Sequence, residues 1–267
     1  MDRRTVLKTA ALLAGGYLGV AGLARLSYRA LLYPAPQRGL DRTPRGGELA
    51  HYPTDDGESV QVAIYRAGEG APGVVYFHGN GESIADSLGL AQVMVEHGLT
   101  FVAVEYRGYG ASPSRGPDEP GLYADAEGAL RGLAGAGVLS GPPMLWGNSL
   151  GTGVAMEMAH RGHGRRLVLQ APFTSVVEVA ARVVPLLPMR LIMGDVYDNA
   201  AKAPAITVPT LVIHGDRDRV VPYDMGQTLA ATIPGATLLT VSGGGHNDLF
   251  VRERDRLIEA VVRHAKG

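Results

Sequence analysis

The chain has no cysteine among its 267 residues, which excludes disulfide bonds, thiolate metal centres, a cysteine nucleophile and a lipidated N-terminal cysteine. The redox compartment stays open, because a cysteine-free chain is tolerated in any of them. A charge excess is also missing. The formal net charge is -1, and without a long basic run the electrostatic footprint of a nucleic-acid binder is absent, so no polyanionic partner is implied. No internal repeat is visible, and no low-complexity tract beyond a general alanine and glycine bias. What the chain does have is 46% hydrophobic residues in a length that suits one large α/β core.

The charge is unevenly spread. The first 45 residues carry eight Lys or Arg against Asp2 and Asp41, and the remainder is correspondingly acidic. Within this basic stretch Thr9 to Ala24 is uncharged and mostly Ala, Gly and Leu, the composition of a targeting or anchoring element outside the fold. Arg3-Arg4-Thr5-Val6-Leu7-Lys8 resembles a twin-arginine export signal, and Gly22-Leu23-Ala24 offers a small-residue cleavage site. The uncharged run is shorter than the ~20 residues of a spanning helix, but snorkelling Arg25 and Arg29 extend it to Leu32. Cleavage and retention as an anchor both remain open. Residues 1–32 are therefore expected to be a signal or membrane anchor on an exported or anchored, extracytoplasmic protein, 33–47 a Pro/Gly/Arg linker, and 48–267 the folded domain.

Short apolar runs recur in that domain at Ser59 to Tyr65, Val74 to Phe77, Thr100 to Glu105, Met144 to Trp146, Arg166 to Gln170, Thr210 to His214 and Thr237 to Val241. Amphipathic helix-length segments lie between most of them: Ile84 to His97, Leu122 to Leu133, Leu150 to His163, Met225 to Ile233 and Leu249 to His264. Several runs lack strict alternation, as strands covered on both faces do. The alternation of strand and helix predicts a mostly parallel twisted sheet with helices on both faces, whose ligands sit beyond the carboxyl ends of the strands. Thr174 to Ala203 breaks the rhythm with Pro185, Pro188 and many large apolar residues, and is the place for a small cap.

The candidate chemistry sits at those strand ends. Gly147-Asn148-Ser149-Leu150-Gly151 lies between a strand and a helix, the layout that lifts a serine hydroxyl onto a sharp corner within reach of a substrate carbonyl. A serine nucleophile needs a base, a carboxylate to orient the base, and fixed donors for the oxyanion. Asp216 and Asp218 both follow the strand Thr210 to His214, and Asp216 has the alternative reading of a turn residue. His246 follows the strand Thr237 to Val241 through Ser242-Gly243-Gly244-Gly245, a turn able to aim its ring back over the sheet. The resulting order of serine, acid and histidine is the one this architecture requires. The backbone N–H of Leu150 follows the nucleophile, and Asn80 in His78-Gly79-Asn80-Gly81 supplies the second expected oxyanion donor. Asp248 reads as a cap for the final helix.

These motifs, with Glu105-Tyr106-Arg107-Gly108-Tyr109-Gly110, Gly121-Leu122-Tyr123 with Asp125, and Pro172-Phe173-Thr174-Ser175, resemble the α/β-hydrolase superfamily between about Tyr33 and His264. The chain is similar to the N-terminally anchored branch that includes the yeast bud-emergence proteins and the abhydrolase-domain depalmitoylases. In that family the acid lies three residues after the glycine of the strand-end turn, which implies Asp218. The resemblance implies an α/β-hydrolase fold and a serine hydrolase that cleaves carboxylic esters or thioesters of a small or lipid-like acyl substrate, without cofactor or metal. The apolar run Val183 to Met193 is a candidate cover for an acyl chain. The alternatives are a serine amidase like the prolyl aminopeptidase relatives, and a non-catalytic membrane-tethered scaffold.

Overall fold

The computed structural model describes residues 2–40, 42–111 and 116–267. Met1 of the expected anchor and Asp41 of the expected linker lie outside the described residues. The strands are β1 (Glu48–Pro53), β2 (Ser59–Tyr65), β3 (Gly73–Phe77), β4 (Thr100–Glu105), β5 (Met144–Asn148), β6 (Arg166–Gln170), β7 (Thr210–Gly215) and β8 (Thr237–Val241). They form one sheet in the order β1-β2-β4-β3-β5-β6-β7-β8. The β1/β2 and β2/β4 pairs are antiparallel and every later pair is parallel. The expected α/β-hydrolase architecture is the one observed.

The helices are α1 (Arg3–Leu32), α2 (Leu88–Glu96), α3 (Glu119–Gly135), α4 (Leu150–His160), α5 (Val176–Val183), α6 (Met189–Ile192), α7 (Asn199–Lys202), α8 (Tyr223–Thr232), α9 (Leu249–Arg252) and α10 (Arg254–Lys266). Alternation along β3 divides the core. Val75 and Phe77 pack in one cluster with residues of α3, α4 and α8, whereas Val74 and Tyr76 pack in the other with residues of α2 and α10. A strand buried on both faces carries apolar residues at every position, which is why β3, β4 and β5 read as continuous runs rather than as alternation. Helices α5, α6 and α7 form the cap between β6 and β7, where the break in rhythm placed it.

Four elements differ from expectation for local reasons. The β1 edge strand is missing from the predicted set because none of its residues is fully buried, so its apolar signal is weak. The segment predicted as one helix from Ile84 begins as a 3₁₀ turn, Ile84–Ser87, closed by a capping box between Ser83 and Asp86. The C-terminal helix is broken at Glu253, which leaves helical geometry at φ -134°. Helix α3 starts three residues earlier than its apolar pattern, because Asp118 accepts from the Gly121 amide as N-cap and Pro120 suits the first turn.

Helix α1 is apolar and mostly exposed, and is long and apolar enough to cross a membrane. Its last turns nonetheless pack on the body. Tyr28 and Tyr33 are buried. The Tyr28 hydroxyl donates to Asp195 Oδ2 at 2.8 Å, the Arg29 Nε–H donates to the same oxygen at 2.8 Å, and the Tyr33 and Tyr197 hydroxyls are 3.0 Å apart.

The end of β4 is fastened to α3 by Arg107, whose side chain is 5% exposed. Its Nη2–H donates to Asp125 Oδ1 at 2.8 Å, its backbone N–H to Asp125 Oδ2 at 2.7 Å, and its Nη1–H to Asp56 Oδ2 at 2.5 Å. Asp125 is buried while Asp56 is on the rim. Removing a buried partner strands a charge in the interior, so Asp125→Ala is expected to lose about 3–5 kcal/mol in urea unfolding, whereas Asp56→Ala is expected to lose about 1 kcal/mol or less. Equal losses from the two variants would show that burial is not what makes the Asp125 contact valuable.

Candidate active site

Ser149 joins β5 to α4 with φ 48° and ψ -113°, in the half of backbone space that side-chain-bearing residues avoid. Its flanking glycines are there for space. A Cβ on Gly151 would lie 2.0 Å from the Phe77 carbonyl oxygen, and one on Gly147 would lie 2.3 Å from the Gly151 carbonyl oxygen. The Ser149 N–H donates to the Gln170 carbonyl at 2.9 Å, tying the corner to the end of β6. The hydroxyl is thus presented above the carboxyl ends of the central strands.

The three side chains expected from the sequence form one hydrogen-bonded line. His246 Nε2 lies 2.9 Å from Ser149 Oγ, and His246 Nδ1 lies 2.7 Å from Asp218 Oδ2. A carboxylate only accepts, so Nδ1 carries the proton toward Asp218 and Nε2 is left to accept from the serine hydroxyl. Asp218 Oδ1 accepts from the Val220 and Val221 amides at 2.8 and 2.9 Å. Burial pushes the Asp218 pKa up, but the hydrogen bonds from His214 and His246, the electrostatic attraction of the His246 ring and the Val221 amide outweigh it and hold the carboxyl well below the usual carboxylate range. Asp216, the sequence competitor, accepts instead from the Gly243 amide at 2.6 Å and so fastens the turn that carries His246.

The His78–Gly81 loop, where the sequence places an oxyanion donor, is built around buried polar groups. His78 Nδ1 donates to the Gly79 carbonyl at 2.8 Å and Nε2 meets Glu105 Oε1 at 3.0 Å, with both side chains essentially inaccessible. Burial lowers the His78 pKa, yet the Glu105 carboxylate and the Gly79 carbonyl more than compensate and raise it. The Gly79 carbonyl also accepts from the Glu82 amide at 3.3 Å. Because the Gly79–Asn80 peptide is trans, a carbonyl anchored on that side turns the Asn80 N–H to the other. The Leu150 N–H opens α4, where amide groups lack intrahelical acceptors. A cavity of about 390 Å³ lies over this corner, lined among others by Asn80, Asn148, Ser149, Gln170, Val220 and His246. Among the described residues no group of three or more His, Asp or Glu is arranged to hold a metal ion.

Two contributors were not singled out in the sequence. Glu82 accepts from the Gly79 amide at 2.8 Å and from Asn148 Nδ2 at 3.1 Å, clamping the His78–Gly81 loop to the residue before Ser149. His214, fully buried at the end of β7, lies with Nε2 3.0 Å from the Val221 carbonyl and 3.2 Å from Asp218 Oδ2. Both neighbours are acceptors, so Nε2 carries the proton and supports the same carboxylate oxygen that His246 meets. One expectation is corrected: Asp248 does not cap the following helix with its side chain but accepts from the Gly245 amide at 2.6 Å, bracing the glycine turn before His246.

Comparison with known proteins agrees with this fold. Residues 70–197 match the family described as serine aminopeptidase, S33, and residues 193–253 match the family described as alpha/beta hydrolase fold. An uncharacterized protein of Mycobacterium tuberculosis is 34% identical over 201 residues, 74% of this chain and 71% of that protein. The alpha/beta hydrolase domain-containing protein 17C of Xenopus tropicalis is 30% identical over 230 residues, 83% of this chain and 70% of that protein. Among solved structures, the Pyrococcus furiosus esterase Pf2001 superposes with a TM-score of 0.73 at 16% identity, covering 87% of this chain and 96% of that one. The esterase EaEST from Exiguobacterium antarcticum does so with a TM-score of 0.65 at 23% identity, covering 82% and 99%. With its sheet order, its corner serine and relatives matched over most of their length, the chain belongs to the α/β-hydrolase superfamily, on the abhydrolase-domain branch.

Proposed function

We propose that this hydrolase is a serine esterase that cleaves carboxylic esters or thioesters through an acyl-enzyme on Ser149. The observation that carries the reading is the unbroken line from Ser149 Oγ through His246 to Asp218, at 2.9 and 2.7 Å. In the mechanism, Ser149 Oγ attacks the acyl carbon as His246 Nε2 takes its proton. The tetrahedral oxyanion is held by the Asn80 and Leu150 amides, and His246 returns the proton to the departing alcohol or thiol. Water then repeats the sequence in place of serine and frees the acid. Asp218 keeps the imidazole in the reactive tautomer and stabilises its protonated form. Its lowered pKa supports that role, since it remains a carboxylate throughout.

A second reading follows from the match to the serine aminopeptidase family. It needs a free carboxylate near the cavity to receive a substrate amine. The nearest candidate, Glu82, is already committed to the Gly79 amide and Asn148, so the ester reading stands ahead of it. The apolar α1, with Arg3 and Arg4 in its first turn, supports an exported chain held at a membrane by this helix, with a lipid-like acyl compound as substrate.

The purified protein is expected to react covalently with a fluorophosphonate probe and to hydrolyse p-nitrophenyl esters, with both activities absent in Ser149→Ala. Undiminished labelling of that variant would remove Ser149 from the mechanism, and turnover of aminoacyl anilides in preference to esters would favour the second reading. Asp218→Asn is expected to lower kcat by about 10⁴-fold and Asp216→Asn far less. The reverse ranking would reassign the acid. Because the folded-state pKa of Asp218 is depressed, its stabilisation is fully present above the unfolded carboxylate value of about 4 and is lost as pH falls through the folded value. The stability gap between wild type and Asp218→Asn, measured by urea unfolding, should therefore be widest at neutral pH and narrow below about pH 4. A gap independent of pH would contradict the charged assignment.

A further inference from the structure

The expected acyl cover in the cap is not buried over the site. Met189, Ile192 and Met193 do pack inward, but Val183, Leu186 and Leu191 are 72%, 83% and 83% exposed. Exposed large aliphatic side chains concentrated at one tip mark an interaction surface. Helix α1 runs alongside this tip. The Tyr17 hydroxyl donates to the Leu186 carbonyl at 2.9 Å, and Ala21 and Ala24 pack against the core cluster that includes the cap, followed by buried Tyr28. Tyr17, Ala21, Ala24 and Tyr28 recur at helical spacing on one face, with the two alanines letting the helix approach closely.

This docking fixes the depth of the cap relative to the helix. From Arg3 to Gly16 the undocked part of α1 is about 21 Å long, too short for a hydrocarbon core of about 30 Å. A spanning α1 must therefore draw its docked portion, and whatever is docked on it, into the lipid. The uncharged band of the helix runs from Thr9 to Ala24, and Leu186 meets it at Tyr17, about 12 Å along the axis from Arg25. The Tyr17–Leu186 hydrogen bond satisfies a hydroxyl and a backbone carbonyl together, as polar groups at that depth require. Arg190 pairs with Glu178 and Arg182 with Asp224 near the apolar residues of the tip, and long arginine side chains reach headgroups from below the interface.

We infer that the cap apex, Val183, Leu186 and Leu191, inserts into the lipid leaflet beside α1, making the folded body a membrane-embedded surface rather than a domain tethered at a distance. The inference rests on the membrane reading of α1 given above. Absence of native cysteine permits a direct test, in which Leu186→Cys, Leu12→Cys and Glu259→Cys are each labelled with an environment-sensitive nitrobenzoxadiazole fluorophore in the full chain. Each is then reconstituted into phosphatidylcholine/phosphatidylglycerol vesicles with or without acyl-chain doxyl quenchers. Leu186→Cys leaves the backbone carbonyl used by Tyr17 in place, and Glu259 is exposed on α10, across the sheet from the cap. The expected result is a blue shift and loss of most emission to the lipid quencher at positions 12 and 186, with position 259 unaffected. Quenching at 12 but not at 186 would overturn cap insertion and leave the anchor intact. Quenching at neither would overturn the anchor and the cap proposal with it. A blue shift at 186 without lipid quenching would mean that a second copy of the chain covers the tip, which also overturns the proposal.

Discussion

The close approach of three backbone segments at Gly147, Gly151 and Phe77 is the constraint on which the rest of the site depends. Ser149 is held at a positive φ that is about 1–3 kcal/mol unfavourable for a residue with a side chain. It persists because the corner is over-determined on every side. The sheet supplies the Gln170 carbonyl, the helix start supplies the turn, and the absent Cβ atoms let β3 and β5 sit against the first turn of α4. Neither a flexible loop nor a relaxed turn would hold the serine oxygen at hydrogen-bond distance from a histidine that arrives from a different part of the chain.

The groups facing Ser149 are positioned by polar side chains, some buried and some on the rim, each doing for a loop what the glycines do for the corner. Glu82 binds the His78–Gly81 loop to Asn148, and the His78–Glu105 pair pins the Gly79 carbonyl so that the next amide points the other way. Asp216 and Asp248 hold the two ends of the glycine turn ahead of His246. His214 meets the same Asp218 oxygen as His246. A buried carboxylate or imidazole without a partner is strongly unfavourable, and this network leaves these carboxylates with donors. The one orphan in the set is His214 Nδ1, buried without a partner, the neutral face of a ring whose other nitrogen does the holding.

Much of this was legible in the sequence, and the exceptions share a cause. Strands with buried apolar residues announce themselves as short apolar runs, so β2 to β8 were placed closely from residue pattern alone. The β1 edge strand, with no fully buried residue, lacks that signal. Ser149 and His246 were singled out because each stands at a strand end within a recognisable turn, whereas Asp216 and Asp218 share one turn and only the family resemblance chose Asp218 between them. Glu82 and His214 carry no such local mark, since their meaning comes from partners reached only through the fold: Asn148 for Glu82, and for His214 a carboxylate four residues on, folded back across the end of β7. Asp248 was misread because a carboxylate before a helix is ordinarily a cap, whereas here the stronger demand is the unpaired Gly245 amide.

The N-terminal segment illustrates how composition can separate what folding joins. Its apolar residues read as a leader detached from the domain, yet its C-terminal end is stitched to the machinery. The Asn80 side chain donates to the Leu32 carbonyl at 3.2 Å, Ser83 Oγ–H donates to the Arg38 carbonyl at 2.5 Å, and the Gly110 amide donates to the Pro36 carbonyl at 2.9 Å. Those contacts place the end of α1 and the stretch after it against the loop that carries a candidate oxyanion amide. A cut after Ala24 would remove the apolar band but leave Tyr28, Arg29 and Tyr33 in place, because their partners Asp195 and Tyr197 belong to the cap. The boundary that matters physically therefore lies within α1, near Tyr17 where docking begins, and not at its end: beyond that point the helix and the cap are one packed unit, and any force that positions the helix in a bilayer positions the cap with it.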